Sequence, residues 1–239
     1  MVSKNELKLI TSLHQKKYRN KHQLFIAEGT KGVLELLESK LQPYKIFRTR
    51  DIEGLAEDQA ADISAAEMKK LSCLKTPSEV LAVFYMPESK STKSEGLILA
   101  LDNVRDPGNL GTIIRLCDWF GVTQLICSAT TVDCFNPKVV QATMGSLARV
   151  QIHYLDLENY LSTTDKPIYG AIMEGENVYQ SKLPKDAILV MGNESNGIDA
   201  SILQKVTNNI SIPRFGSQQT ESLNVATATA ILLSEFRRS

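Results

Sequence analysis

The sequence predicts an α/β protein with a smaller N-terminal α/β domain ahead of a larger domain built on a parallel sheet. Short apolar runs alternate with amphipathic segments along the chain, as they do in α/β proteins. Residues 97–101 are continuously apolar, which is typical of a strand buried on both faces of a parallel sheet. Residues 87–96 are polar and turn-rich. We therefore expect domains over 1–90 and 97–239, with the linker itself at 91–96.

The amino-acid composition is typical of a soluble globular protein. Apolar content of 43% and charged content of 23% are ordinary for a soluble domain, and the sequence contains no apolar run long enough to span a membrane. The N-terminus lacks the apolar core of a signal peptide. The missing apolar run leads us to expect no membrane segment. The four cysteines have no partner at metal-ligand spacing, so we expect no metal and a reducing cytoplasm.

The N-terminal half begins with a basic segment that we predict to be one helix over 4–21. Six Lys or Arg and a single acid lie between Met1 and Lys21, and an aromatic side chain is interleaved with them. Such a segment suits a phosphate backbone, although a solvated helix face is an equal alternative. The candidate RNA-binding residues here are Lys16, Lys17, Arg19 and Lys21. Beyond this helix, we predict strands at 24–27, 44–47 and 80–85 and helices at 30–39 and 64–71.

The C-terminal half continues the alternation of strands and helices. We predict strands at 97–101, 123–127, 150–154, 168–172, 187–191 and 209–212. We predict helices at 109–120, 137–148, 199–206 and 222–237.

The first segment with chemical potential is 102–115. Its Asp-Pro-Gly-Asn sequence predicts a turn after a strand, with Asn109 as the N-cap of the next helix. Arg115 lies off the apolar stripe of that helix, where its guanidinium could bind a phosphate or a carboxylate. An exposed Arg115 paired with Asp118 is the alternative.

The second segment is 187–199, an apolar strand followed by a polar turn. Gly192 would let a ligand approach the backbone closely, and Glu194 is the acid of the turn. Neither the dinucleotide-binding nor the phosphate-loop pattern is present. Glu194 could instead hydrogen-bond its own turn.

The third segment, 210–225, joins a short strand to the last helix. Ser222 and Asn224 place polar side chains around the start of that helix, which suits a ligand or a simple N-cap. If the three strands are parallel and adjacent, their loops converge on one crevice. That crevice would hold an Arg, a Glu, a Ser and amides but no catalytic His or Cys, which suits a preactivated cofactor and an anionic substrate.

The sequences DNVRDPGNLGTIIR, LVMGNESNGI and ISIPRFG with ESLNVATATAILL resemble the three motifs of the SpoU/TrmH class of the SPOUT superfamily. These proteins are RNA ribose 2′-O-methyltransferases, and the three motifs span 97–239 in family order. Residues 1–90 are similar to the ribosomal-protein-like RNA-binding domain of many members. The resemblance implies a C-terminal trefoil knot, bound S-adenosylmethionine and a homodimer packed through knot helices. It implies an RNA substrate, with ribosomal RNA favoured and transfer RNA as an alternative.

The resemblance also implies roles for single residues. The residues that match the polar catalytic positions are Asn109, Arg115, Glu194, Ser222 and Asn224. The residues expected to hold the cofactor, mainly through backbone groups, are Met191, Gly192, Ile212, Ser222 and Leu223. Arg115 is expected to reach the site of the other protomer and to bind the RNA.

A mechanism follows from these roles. A guanidinium stays protonated at neutral pH, so we expect Arg115 to grip the RNA phosphate and stabilise the developing alkoxide, while the phosphate relays the proton. Ser222 and Asn224 would orient the ribose, and Glu194 would fix Arg115 or the loop. The loop 214–221 is longer than is usual in the family, which puts its cofactor contacts in doubt. A catalytically silent RNA-binding or assembly factor is the alternative function.

Overall fold

The computed structural model describes residues 2–88, 95–216 and 222–238. Contacts between Cα atoms divide the chain into two compact units. Unit 1 comprises Met1–Glu88 and Asp133–Arg149, and unit 2 comprises Ser89–Val132 and Val150–Ser239. The domain boundaries at 91–96 stay a prediction, and the structure adds that 133–149 packs within unit 1.

Unit 1 is built on a four-stranded mixed sheet in the order β1-β4-β2-β3. β4 lies between β1 and β2 and runs antiparallel to both, whereas β2 and β3 are parallel. Its strands are β1 (Leu24–Glu28), β2 (Pro43–Arg48), β3 (Ala61–Asp62) and β4 (Val80–Tyr85). Its helices are α1 (Lys4–Ser12), α2 (Lys16–His22), α3 (Thr30–Glu38), α4 (Ala65–Leu71) and α6 (Pro137–Thr143).

The single helix predicted over 4–21 is wrong, because the chain breaks between α1 and α2. The carbonyl oxygens of Leu13 and His14 at this break accept hydrogen bonds from Nη1 of Arg19, at 2.9 and 3.1 Å. A side chain thus satisfies carbonyl groups at the turn. The apolar spacing alone could not distinguish this arrangement from a continuous helix.

The same contacts overturn the prediction that Arg19 binds RNA. Only 2% of the Arg19 side chain is exposed, and its guanidinium pairs with the carboxylate of Asp133 at 2.5 Å. A buried charge requires such a partner, since an unpaired guanidinium in the interior would be very costly. Lys16, Lys17 and Lys21 are exposed on α2, so they stay candidates for RNA contact.

Segment 133–149 packs against the sheet of unit 1 through α6 and β1. The rings of Phe25 and Phe135 lie 5.0 Å apart, and Arg149 pairs with Glu35 at 3.2 Å. The helix predicted over 137–148 ends at Thr143, since Met144 and Gly145 both have left-handed φ angles, of 50° and 91°. A short 3-10 turn, Ser146–Ala148, follows.

Unit 2 is built on a six-stranded sheet in the order β10-β8-β9-β5-β6-β7, and every neighbouring pair is parallel. This confirms the predicted parallel sheet. Its strands are β5 (Leu97–Leu101), β6 (Gln124–Ser128), β7 (Gln151–Leu155), β8 (Ile168–Asn177), β9 (Ala187–Met191) and β10 (Asn208–Ser211). Its helices are α5 (Pro107–Trp119), α7 (Leu157–Ser162), α8 (Ala200–Leu203) and α9 (Val225–Arg238).

The two central strands of this sheet, β5 and β9, are buried along their whole length. They pair from Leu97 with Ala187 to Leu101 with Met191, so their carboxyl ends lie side by side. The loops that follow them therefore begin at neighbouring points on one sheet edge. Helix α9 packs against α5, which brings the start of the last helix to the same region.

Candidate functional site

The turn after β5 is organised by Asp106. Its carboxylate accepts a hydrogen bond from the backbone N–H of Asn109 at 2.8 Å, and Pro107 occupies the first helical position. Asp106 is therefore the N-cap of α5, and the prediction that Asn109 caps this helix is wrong. Its position within the first turn leaves the Asn109 side chain available for other partners.

The Asn109 side chain is hydrogen-bonded to one residue in each of the other two polar segments. Its Nδ2 donates to Oε1 of Glu194 at 2.8 Å, and its Oδ1 accepts from Nδ2 of Asn224 at 2.9 Å. The three residues come from separate loops yet form one continuous chain of hydrogen bonds. The predicted convergence of the loops is thus seen for Asn109, Glu194 and Asn224, and we call these residues the polar chain.

The polar chain has a fixed direction. Oδ1 of Asn224 accepts from the backbone N–H groups of Ala226 and Thr227, at 2.9 and 3.3 Å, so Asn224 caps α9. Its Nδ2 must then point to Asn109, whose own Nδ2 points to Glu194. Every donor of the polar chain points toward the carboxylate of Glu194, which is the last acceptor in the series.

The turn after β9 is closed by its own backbone. Asn193 and Gly197 exchange both backbone hydrogen bonds, at 2.8 and 3.0 Å. A Cβ on Gly192 would lie 2.2 Å from the backbone carbon of Gly197. The close approach that requires a glycine here is that of the turn's own backbone, whereas the prediction was the approach of a ligand.

Asp102, at the end of β5, holds the other end of the same turn. Its Oδ2 accepts from the backbone N–H of Asp199 at 2.7 Å, and 6% of the residue is exposed. Burial raises the pKa of the Asp102 carboxyl above its ordinary value. Sequence reasoning missed this residue, although a carboxylate directly after a buried strand is a usable signal.

Two predicted catalytic residues lie outside the polar chain. Arg115 is exposed on α5, and both its predicted role and the alternative pairing with Asp118 stay predictions. Ser222 is also exposed. Of the two roles predicted for Glu194, fixing Arg115 or fixing the loop, its hydrogen bonds with Asn109 and Asn193 fit the second. A contact with Arg115 of another protomer stays a prediction.

The predicted cofactor-binding residues differ in accessibility. Gly192 and Ile212 are half-buried, and Leu223 is 49% exposed although it is apolar. Met191 is buried, and its carbonyl oxygen accepts from the backbone N–H of Asp102 at 2.9 Å. Met191 thus belongs to the core at the end of β9, and its contact with the cofactor stays a prediction.

The described ranges 2–88, 95–216 and 222–238 contain no group of three or more His, Cys, Asp or Glu side chains placed to hold a metal ion. Within the same ranges no helix is both long and apolar enough to cross a membrane.

Comparison with known proteins decides the family. A model of the SpoU rRNA Methylase family matches residues 96–234, which include the whole polar chain. The chain belongs to the SpoU rRNA methylase family. The match confirms the resemblance predicted from the three motifs, and with it the enzyme class, an RNA methyltransferase. A second model, of the MRM3-like substrate binding domain, matches residues 4–82 of this SpoU methylase.

Full-length relatives agree with this assignment. The SpoU methylase is 33% identical over 234 residues to the 23S rRNA (guanosine(2553)-2′-O)-methyltransferase RlmP of Bacillus subtilis, covering 94% of this chain and 93% of RlmP. A solved structure assigned to the TrmH family of RNA methyltransferases, from Porphyromonas gingivalis, is 38% identical with a TM-score of 0.89. That alignment covers 100% of this chain and 99% of the other.

A further solved structure, of a related methyltransferase, contains the cofactor. An AdoMet-bound rRNA methyltransferase from Sinorhizobium meliloti is 28% identical, with a TM-score of 0.85, over 100% of this chain and 97% of that protein. These likenesses confirm the predicted α/β fold class. The trefoil knot stays a prediction, and so do the contacts of the loop 214–221, because residues 217–221 lie outside the described residues.

Proposed function

We propose that this SpoU methylase transfers the methyl group of S-adenosylmethionine to a ribose 2′-hydroxyl of ribosomal RNA. The observation that carries the proposal is the polar chain, which joins one residue from each of the three motifs through direct hydrogen bonds. The relative RlmP acts on 23S rRNA, and the related Sinorhizobium meliloti enzyme binds AdoMet. Ribosomal RNA is therefore the favoured substrate.

The residues around the polar chain fit the cofactor. An adenosyl group needs apolar surface and backbone hydrogen-bonding groups, and its sulfonium favours a nearby carboxylate. Leu223 offers exposed apolar surface, Gly192 and Ile212 lie at strand ends, and Glu194 supplies the carboxylate. These residues and Ser222 would hold the cofactor. When bound, it supplies an activated methyl group that needs no nucleophilic side chain.

The chain's own residues would then position the RNA. Arg115 binds the phosphate next to the target ribose and stabilises negative charge on the 2′-oxygen, because a guanidinium is a fixed cation with paired donors. Its exposure on α5 leaves the guanidinium accessible for this role. Asn224 and Ser222 orient the ribose. The polar chain holds Asn224 in place before the substrate arrives, which lowers the entropic cost of aligning the ribose.

The assembly and the compartment form part of the proposal. Trp119, near the end of α5, is 84% exposed, which supports a homodimer that packs through α5 and α9. Such a dimer would let Arg115 act in the partner's site. All four cysteines are free thiols, which suits the cytoplasm.

The test is transfer of labelled methyl groups from S-adenosylmethionine to ribosomal RNA and to assembling subunits from cells that lack this protein. The wild-type protein should place label on a ribose 2′-oxygen. Arg115→Ala should lower kcat at least about 100-fold, as expected when a fixed charge at the reacting oxygen is removed. Cofactor affinity, measured by calorimetry, should be unchanged.

Arg50→Ala is the matched control, because Arg50 is exposed and lies in unit 1. It should leave kcat within about twofold of the wild-type value. Full activity of Arg115→Ala would refute the assigned role. Cofactor binding without transfer to any RNA or particle would favour the silent RNA-binding factor.

A further inference from the structure

We propose that Asn193 is a positioning residue that holds Glu194 in place for the polar chain. The inference rests on the proposed function and deepens it, because it explains how a carboxylate on an exposed turn keeps one orientation. Asn193 is half-buried, and the residues to which its side chain is hydrogen-bonded all lie in unit 2.

The carboxamide of Asn193 uses both of its ends. Nδ2 donates to the carbonyl oxygen of Asn103 at 2.7 Å and lies 3.4 Å from Oε2 of Glu194. Oδ1 accepts from the backbone N–H groups of Ser195 and Asn196, at 2.9 and 3.1 Å. An amide has two donor hydrogens and two acceptor lone pairs, and all four have partners here. The orientation of the side chain is therefore unambiguous.

The contact with Asn103 anchors the turn to a rigid point. Asn103 has a left-handed φ of 59°, a conformation that Asn adopts more readily than most residues. Its backbone N–H donates to Oγ of Ser128 at 2.9 Å, and its Oδ1 accepts from Nε of Arg105 at 2.9 Å. Asn103 is thus held by hydrogen bonds of both its backbone N–H and its side chain. Because Asn193 donates to the carbonyl oxygen of Asn103, the turn after β9 is held in a fixed position as well.

The consequence for Glu194 follows from the two ends of its carboxylate. Oε1 accepts from Asn109 and Oε2 faces Asn193, so the carboxylate lies between two amide groups. Among the described residues, loss of the Asn193 side chain would leave Glu194 with the Asn109 contact alone. The backbone pair between Asn193 and Gly197 does not use the side chain, so the turn itself should survive the substitution.

The test compares Asn193→Ala and Asn193→Asp with Asn196→Ala, a matched control whose exposed side chain makes no hydrogen bond to another described residue. Asn193→Ala should lower kcat at least about tenfold, with the KM for RNA and the Kd for S-adenosylmethionine within about threefold of wild type. Asn193→Asp should lower kcat further, because a second carboxylate would face Glu194. Asn196→Ala should leave all three constants unchanged.

A double-mutant cycle with Glu194→Gln distinguishes positioning from a general loss of structure. If Asn193 acts through Glu194, Asn193→Ala should change the residual kcat of Glu194→Gln less than about threefold. In the Glu194→Gln variant, Asn193→Asp should lower kcat no more than Asn193→Ala does, since residue 194 then carries no carboxylate. Multiplicative losses in the double variants would overturn the proposal.

A readout independent of catalysis keeps the two proposals separate. In ¹⁵N spectra the side-chain amide protons of Asn109 should exchange slowly with solvent in the wild type and in Asn196→Ala, and faster in Asn193→Ala. Unchanged exchange would refute the positioning role even if the enzyme is active. Wild-type protein without methyl transfer but with this exchange pattern would refute the proposed function alone.

Discussion

At the scale of single residues, Asn224 serves two structures at once. Its Oδ1 caps α9, and its Nδ2 donates to Asn109 in the polar chain. Because the two roles use opposite ends of one amide, substitutions can separate them. A helix cap contributes to stability, whereas the donor contributes to the geometry of the site.

Asn224→Asp and Asn224→Ala should therefore differ in stability and agree in activity. Aspartate keeps the capping oxygen, so the free energy of unfolding should stay near the wild-type value, whereas Asn224→Ala should lose about 1 kcal/mol. Both variants lack the donor to Asn109, so both should lose methyl transfer. Urea denaturation and the labelled-methyl assay measure the two effects, and a fully active Asn224→Asp would contradict the role of the polar chain.

Much of the site could be predicted from residue types and positions. Asn109, Glu194 and Asn224 were expected to meet because each follows a strand or opens a helix at one sheet edge. Their direct bonding depends on strand register and side-chain rotamers, which no local pattern specifies. The partners of Asp102 and Asn193, the backbone groups of Asp199 and Asn103, are distant in sequence and could not be predicted, although the position of Asp102 directly after a buried strand was a usable signal.

At the scale of elements, most strands and helices could be located from apolar periodicity, but helix ends could not. The break between α1 and α2 depends on Arg19, and the end of α6 depends on a left-handed Met144, which residue preference does not predict. Helix α7 was missed although Asp156 caps it. Caps made by Ser64 with Glu67 were predictable, because the capping box has a sequence signature.

Helix α2 should contribute salt-dependent RNA affinity through its exposed lysines. Replacing Lys16, Lys17 and Lys21 together by Ala should flatten the plot of log affinity against log salt by a slope of about 2, since each phosphate contact contributes roughly 0.7. Filter binding at several salt concentrations gives this slope. The double variant Lys182→Ala with Lys185→Ala, in unit 2, is the control, and an unchanged slope in the triple variant would contradict the role of α2.

Helices α1 and α4 should share a pH-dependent contribution to stability. The Glu67 carboxylate accepts from the backbone N–H groups of Ser64 and Val2, at 2.9 and 2.8 Å, and from the Ser64 hydroxyl. These hydrogen bonds, with Ser64 first, lower the pKa of Glu67 to about 2. A lowered pKa stabilises the fold above the ordinary value near 4.5, and this contribution is lost as the pH falls toward 2.

Glu67→Gln should remove this contribution. The variant should be less stable than the wild type at pH 7, and the difference should vanish near pH 2, where the wild-type carboxyl becomes protonated. Thermal unfolding between pH 7 and pH 2 measures the difference. A stability gap that stays constant with pH would show that the charge of Glu67 is irrelevant.

At the scale of the whole molecule, the fold class and the parallel sheet were predictable, but the membership of segment 133–149 was not. Its apolar positions fit a helix on either sheet, and only contacts such as Phe25 with Phe135 assign it to unit 1. The buried pair of Arg19 and Asp133 links α2 to this segment. The integrity of unit 1 thus depends on residues that lie far apart in the chain.

Asp133→Ala should destabilise unit 1 by about 3 kcal/mol, because it leaves a buried guanidinium without its anion. Replacing both partners, as in Arg19→Met with Asp133→Leu, should cost less than the single substitution, since no charge remains buried. Guanidinium denaturation followed by the fluorescence of an introduced probe in unit 1 measures both. Equal losses in the single and double variants would contradict the ion pair's importance.

The placement of segment 133–149 also has a consequence for the order in which the protein is made. A ribosome adds about 5–20 residues per second, so 133–149 is complete roughly 3–12 s after Glu88. During that interval the nascent chain lacks Asp133 and α6, so the carboxylate that pairs with the Arg19 guanidinium has not yet been synthesised. Unit 1 can therefore finish folding only after β5, α5 and β6 of unit 2 have been synthesised.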